Sequence, residues 1–183
     1  MNFNAKFLPL FSFVLVLFLA TTVSAKDVGP YVNANIGKTD VDVDMLDFDK
    51  GTSFSFGVGY SFNKHVSVEA NYIDFGDMED DIDPVFTLSG DALVVSAIGK
   101  IPFSDNFSGF ARLGFFSWDA EVNAAGFGEI ASDDGTDLTY GLGLLIDFNE
   151  NISGLIQYQK FDFETDGEDI DADNLSLGLQ VFF

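Results

Sequence analysis

The stretch NLSLGLQVFF, Asn174–Phe183, decides the fold. Leu175, Leu177, Leu179, Val181 and Phe183 fall on one face of an extended chain, and Asn174, Ser176, Gly178 and Gln180 on the other. A period of two is the signature of a strand with one apolar face. The same texture runs through GTSFSFGVGYSF, Gly51–Phe62, where Phe54, Phe56, Val58, Tyr60 and Phe62 oppose Ser53, Ser55, Gly57, Gly59 and Ser61.

The composition around these strands is contradictory for a water-soluble domain. The chain has 183 residues and a formal charge of −22, yet it is 47% hydrophobic and contains 22 Phe. Its pI is about 4.1 and its mean hydropathy +0.20. Acidic and apolar residues must therefore be segregated in space. With 30 acids against eight Lys and Arg, the net negative charge argues against nucleic acid as a partner. It contains no Cys, and so no disulfide framework, thiolate metal site or Cys nucleophile.

The N-terminus carries a processing signal. Lys6 precedes the apolar run Phe7–Ala20, and Val23 and Ala25 place small residues at the usual cleavage positions. Residues 1–25 are expected to be a secretory signal peptide cut after Ala25, leaving 26–183 as one domain. No later apolar run is long enough for a spanning helix, and the other structure that crosses a membrane is a closed β-barrel.

The rest of the chain is predicted to form eight strands within Pro30–Lys38, Gly51–Phe62, Val66–Phe75, Phe86–Ile101, Phe107–Trp118, Thr136–Phe148, Ile152–Phe161 and Asn174–Phe183. The phase of Phe86–Ile101 is ambiguous, and Ser89-Gly90-Asp91 reads as a bulge or kink. Short links alternate with long acidic ones. Of the 30 acids, all but Asp27, Glu69, Asp105, Asp147 and Glu150 fall in or beside the long links. The fold class is thus all-β: an eight-stranded antiparallel up-and-down transmembrane β-barrel with short periplasmic turns and four long acidic extracellular loops.

The chain resembles the eight-stranded outer-membrane barrels of the outer membrane protein A type. The resemblance spans the mature chain and is sharpest at VEANYIDFG (Val68–Gly76), SDNFSGFARLGFFSWDA (Ser104–Ala120), ISGLIQYQ (Ile152–Gln159) and DNLSLGLQVFF (Asp173–Phe183). It implies a monomer in the cell outer membrane, in contact with outer-membrane lipid and lipopolysaccharide. Leu179, Val181 and Phe183 match the C-terminal signal read by the outer-membrane barrel assembly machinery. No periplasmic peptidoglycan-binding domain is expected, so that anchoring role is not carried over. The family's lumen can hold an ion pair between a Glu here matched by Glu69 and an Arg at the position of Leu155. The resemblance therefore does not carry that gate over, and Arg112, inward by parity, is the alternative partner for Glu69.

Two acidic runs are weak candidates for divalent-cation binding, Asp40, Asp42 and Asp44 in one and Asp169, Asp171 and Asp173 in the other. Hard cations take several oxygen ligands, but neither run fits an EF-hand loop, and most acidic runs are solvated surfaces. Catalysis is not expected: the single His, His65, lies in a predicted periplasmic turn with no Ser-His arrangement. No cofactor is expected either. The expected function is structural, a small integral barrel that stabilises the envelope and presents a surface. The alternatives are a narrow cation-preferring pore, or loops that mediate adhesion or bind divalent cations.

Overall fold

The computed structural model describes residues 28–42, 51–79, 86–124, 128–165 and 168–183. The signal peptide and its cleavage after Ala25 lie outside the described residues, as does Asp44. The strands are β1 (Gly29–Asp42), β2 (Gly51–Asn63), β3 (Val66–Asp74), β4 (Met78–Glu79), β5 (Phe86–Ser104), β6 (Phe107–Ala124), β7 (Gly128–Asp147), β8 (Ile152–Thr165) and β9 (Glu168–Phe182). Eight of them are long and form a closed antiparallel ring, and β4 is a two-residue addition beside β5. β1 and β9 close the ring through twelve register pairs, from Tyr31↔Phe182 to Asp42↔Asp171. β3 pairs with β5 from Val66↔Gly99 to Asp74↔Asp91, so no edge opens where β4 intervenes in sequence.

The strands are inside out relative to a soluble protein. Phe54, Phe56, Leu93, Val95, Leu113, Phe115, Leu142, Leu175, Leu177 and Leu179 are exposed, while Ser53, Ser61, Ser67, Asn33, Asn71, Gln157, Gln159 and Asn174 are buried. An apolar surface of this extent requires an apolar surrounding. A charge on such a face at mid-membrane costs about 2–4 kcal/mol, which accounts for the nearly uncharged outward rows.

Two short turns repeat one device. Asn63 Oδ1 accepts from the backbone N–H groups of His65 and Val66 at 2.8 and 3.1 Å. Asn149 Oδ1 does the same for Asn151 and Ile152, both at 2.9 Å. A short side chain that mimics a backbone acceptor is why Asn begins both turns.

The long links differ from expectation. Asp119–Ala124 and Gly128–Gly135, read as loop, belong to β6 and β7 and pair from Ala124↔Gly128 downward. Most of Asp162–Asp173 is likewise strand, pairing up to Thr165↔Glu168. The hydropathy alternation marks where lipid touches a strand. Above the bilayer, water lines the outer face, so the ladder continues while the alternation disappears.

The phase of β5 is resolved. Val94, Ser96 and Ile98 point inward, and Leu93 and Val95 outward. The expected irregularity at Ser89-Gly90-Asp91 is absent, because these residues pair in unbroken register with Glu121, Ala120 and Asp119. The extra residue sits across the sheet instead, between Asp74↔Asp91 and Met78↔Leu88. There Gly76 adopts φ 80°, and a Cβ on it would lie 2.3 Å from the Thr52 carbonyl oxygen. Only glycine fits such a site.

Gly59 serves space rather than conformation. A Cβ there would lie 2.2 Å from Cζ of Tyr31, whose ring is completely buried. Gly59→Ala is expected to displace Tyr31 and to destabilise the barrel by about 1–3 kcal/mol. Equilibrium urea unfolding of refolded protein in micelles measures this.

Candidate functional site

An eight-stranded barrel is just wide enough for side chains to fill its interior, and here they do so in three layers. The outer layer is aromatic. Phe161 packs edge-on against Phe75 and Phe116, with ring centroids 5.0 Å apart in both pairs, and Phe163 lies 5.0 Å from Phe116 and 5.1 Å from Trp118. Ile73, Met78, Ala92, Val94 and Ala172 complete this cluster. The inner layer, toward the short turns, is Ile98, Phe110, Leu145 and Leu155. The charged centre lies between them.

Glu69 on β3 and Arg112 on β6 both point inward, and they are only 4% and 8% exposed. Arg112 Nη2 donates to Glu69 Oε1 at 2.7 Å. Asn71 Nδ2 donates to the same oxygen, and the Tyr31 hydroxyl donates to Oε2 at 2.8 Å. Arg112 Nη1 donates to Gln159 Oε1 at 3.0 Å, and Gln159 Nε2 to Thr139 Oγ1 at 2.9 Å. The guanidinium lies 5.9 Å from the Phe110 ring centroid. Below this network, Lys100 Nζ donates to Ser61 Oγ at 3.0 Å and sits over the Tyr31 and Phe182 rings at 5.6 and 5.5 Å.

This arrangement holds two charges still. Taking them out of water is offset only when geometry is good and the remaining polar atoms find partners, and here the carboxylate receives three donors. The space left beside Glu69 and Arg112 is about 10 Å3, close to the lower limit for one water. Leu155 packs in the inner apolar layer.

The acidic candidates lie elsewhere, at the outer rim. Register sets Asp40 opposite Asp173 and Asp42 opposite Asp171, which joins the two runs on neighbouring strands. Asp169 lies opposite Glu164 on β8. Asp171 accepts from Lys160 Nζ at 2.6 Å, and Asp173 from the Tyr158 hydroxyl at 2.6 Å. Among the described residues no group of three or more acids or histidines is placed to hold a metal ion. His65 sits in the Asn63–Val66 turn, its Nδ1 3.2 Å from the Lys100 carbonyl oxygen.

Reading the sequence by parity identified Glu69 and Arg112 but missed the aromatic layer, Tyr31 and Lys100. Adjacent apolar residues such as Phe115-Phe116 were the available signal, one ring facing lipid and the next the lumen.

Glu69→Ala leaves Arg112 buried without its counter-charge and is expected to cost about 3–5 kcal/mol. The double substitution Glu69→Leu/Arg112→Met should lie closer to wild type than either single change predicts. A double-mutant cycle by urea unfolding tests this, and strictly additive losses would mean that the pair is not coupled.

Solved structures share this architecture. Neisserial surface protein A superposes with a TM-score of 0.68 at 18% identity, over 85% of this chain and 97% of that one. Ail, the attachment invasion locus protein of Yersinia pestis, gives 0.61 at 19%, over 86% and 99%. The N-terminal β-barrel domain of Pseudomonas aeruginosa OprF gives 0.58 at 13%, over 86% and 99%. At these identities the likeness is one of fold. No curated protein matches the chain. The outer membrane protein β-barrel domain profile matches residues 11–183, so the chain belongs to that family of outer-membrane barrels.

Proposed function

We propose that the protein is a plugged outer-membrane scaffold, monomeric and without catalytic activity, which stabilises the envelope and presents acidic hairpins to the exterior. The observation that carries this reading is the filled lumen. Two apolar side-chain clusters lie on either side of the Glu69–Arg112 network, so an ion crossing the barrel meets both of them and an ion pair. A water-continuous path of one polarity, which a pore needs, is not what these residues form.

Export and assembly follow from the ends of the chain. The signal peptide is cut after Ala25, and Leu179, Val181 and Phe183 form the row read by the assembly machinery. Leu179 is exposed on the lipid side, and the Phe183 N–H donates to the Pro30 carbonyl at 3.1 Å, which locks the last residue onto β1. The barrel wall faces membrane lipid, and the acidic rim meets lipopolysaccharide and its divalent counterions. Ail has been solved in complex with the heparin analogue sucrose octasulfate. The acid-rich hairpins of this chain have the wrong charge for such a polyanion and favour cationic partners.

Refolded protein in a planar bilayer is expected to be electrically silent while keeping the heat-modifiable gel mobility of a folded barrel. Steady, cation-selective openings of the wild type would overturn the scaffold reading in favour of a small pore. Deleting Phe183 is expected to reduce the heat-modifiable fraction in outer membranes of a Gram-negative host, and Phe183→Tyr to retain it. Equal assembly of the truncated and intact chains would remove the C-terminal signal.

A further inference from the structure

Above the lipid band, among the described residues, the ladder between β7 and β8 ends well before the ladders on either side of it. β6 and β7 pair all the way to Ala124↔Gly128, and β8 and β9 to Thr165↔Glu168. Between β7 and β8 the ladder stops at Thr139↔Phe161. β7 continues through Gly128–Leu138 and β8 through Asp162–Thr165, with no ladder joining the two segments among the described residues. A comparable edge on β5 is treated differently: β4 covers it through Met78↔Leu88 and Glu79↔Thr87, and the Phe75 N–H reaches the Gly90 carbonyl at 3.0 Å.

A strand edge is a template for another strand. Its main-chain groups give affinity, and the side chains of the added strand give selectivity. The charge around this edge has one sign. Gly128–Leu138 contains Glu129, Asp133, Asp134 and Asp137, and Asp162–Thr165 contains Asp162 and Glu164, with no Lys or Arg in either segment. Two copies meeting edge to edge would oppose like charges, which destabilises a ladder. A strand bearing Lys or Arg complements the negative charge that the sequence of these two segments carries. Asp137 accepts from Trp118 Nε1 at 2.7 Å, and Asp134 and Asp162 make contacts of their own, so the binding element is the backbone edge and the net negative charge of the two segments sets its preference.

We propose that the Gly128–Leu138 edge of β7, beside β8, docks an extended Lys- or Arg-bearing segment of another protein, which joins the sheet as an added strand. This rests on the surface-presenting reading above, in which the long hairpins face outward, and it names the kind of partner that surface takes.

The test uses the full refolded chain in nanodiscs and a peptide of about six residues that alternates Lys with Val. A second peptide of the same sequence is N-methylated at every backbone nitrogen: its charge is unchanged, but neither edge can donate main-chain hydrogen bonds. The unmodified peptide is expected to slow amide hydrogen exchange within Gly128–Leu138 and to bind at least about tenfold more tightly than the methylated one. The variant Glu129→Gln/Asp133→Asn should bind it several-fold more weakly while keeping heat-modifiable mobility. Equal affinity of the two peptides would reduce the interaction to charge attraction and overturn the proposal. So would the absence of binding, protection confined to other strands, or a peptide-free dimer that already protects β7. Conductance reads the lumen and peptide binding reads the outer hairpins, so failure of either reading is visible without the other.

Discussion

Inside a bilayer no water can satisfy a peptide group, and each one left unpaired costs several kcal/mol. The ring closed by β1 and β9 meets that constraint. Closure at eight long strands then fixes the bore. A bore that narrow is filled by side chains, so the inward row of every strand becomes core and the outward row becomes solvent-facing, with lipid as the solvent. Phe54, Leu93, Leu142 and Leu177 are exposed for the same physical reason that they would be buried in water.

The lumen is neither uniformly polar nor uniformly apolar. Glu69 and Arg112 sit between the aromatic layer and the inner apolar layer, and Asn71 on β3 and side chains from β1, β7 and β8 extend their hydrogen bonding. Such a pair adds little net stability over a well-packed apolar substitute. It does penalise any arrangement of strands that separates the two charges, because each would then be buried alone. Small residues make room for the large ones: Gly59 for the Tyr31 ring, and Gly143 for that of Phe110.

Above the bilayer the constraint relaxes. Water can satisfy an open edge, so β7 and β8 part after Thr139↔Phe161. Charge can also accumulate there. Asp74, Asp91, Asp119 and Asp134 stand in direct cross-strand succession, a row that low-dielectric surroundings would not tolerate.

The sequence by itself determined the number of spanning strands, the parity of most of them, the segregation of acid to one end and the inward placement of Glu69 and Arg112. These follow from a residue-by-residue choice between lipid and lumen, which leaves a period-two record in the chain. Only the tertiary structure decided that Glu69 meets Arg112, 43 residues away, that Phe75, Phe116, Phe161, Phe163 and Trp118 stack into one layer, and that most of the third and fourth acidic links is paired strand. Those outcomes depend on the stagger between strands and on distances across the bore. Side-chain alternation along one strand carries no information about either.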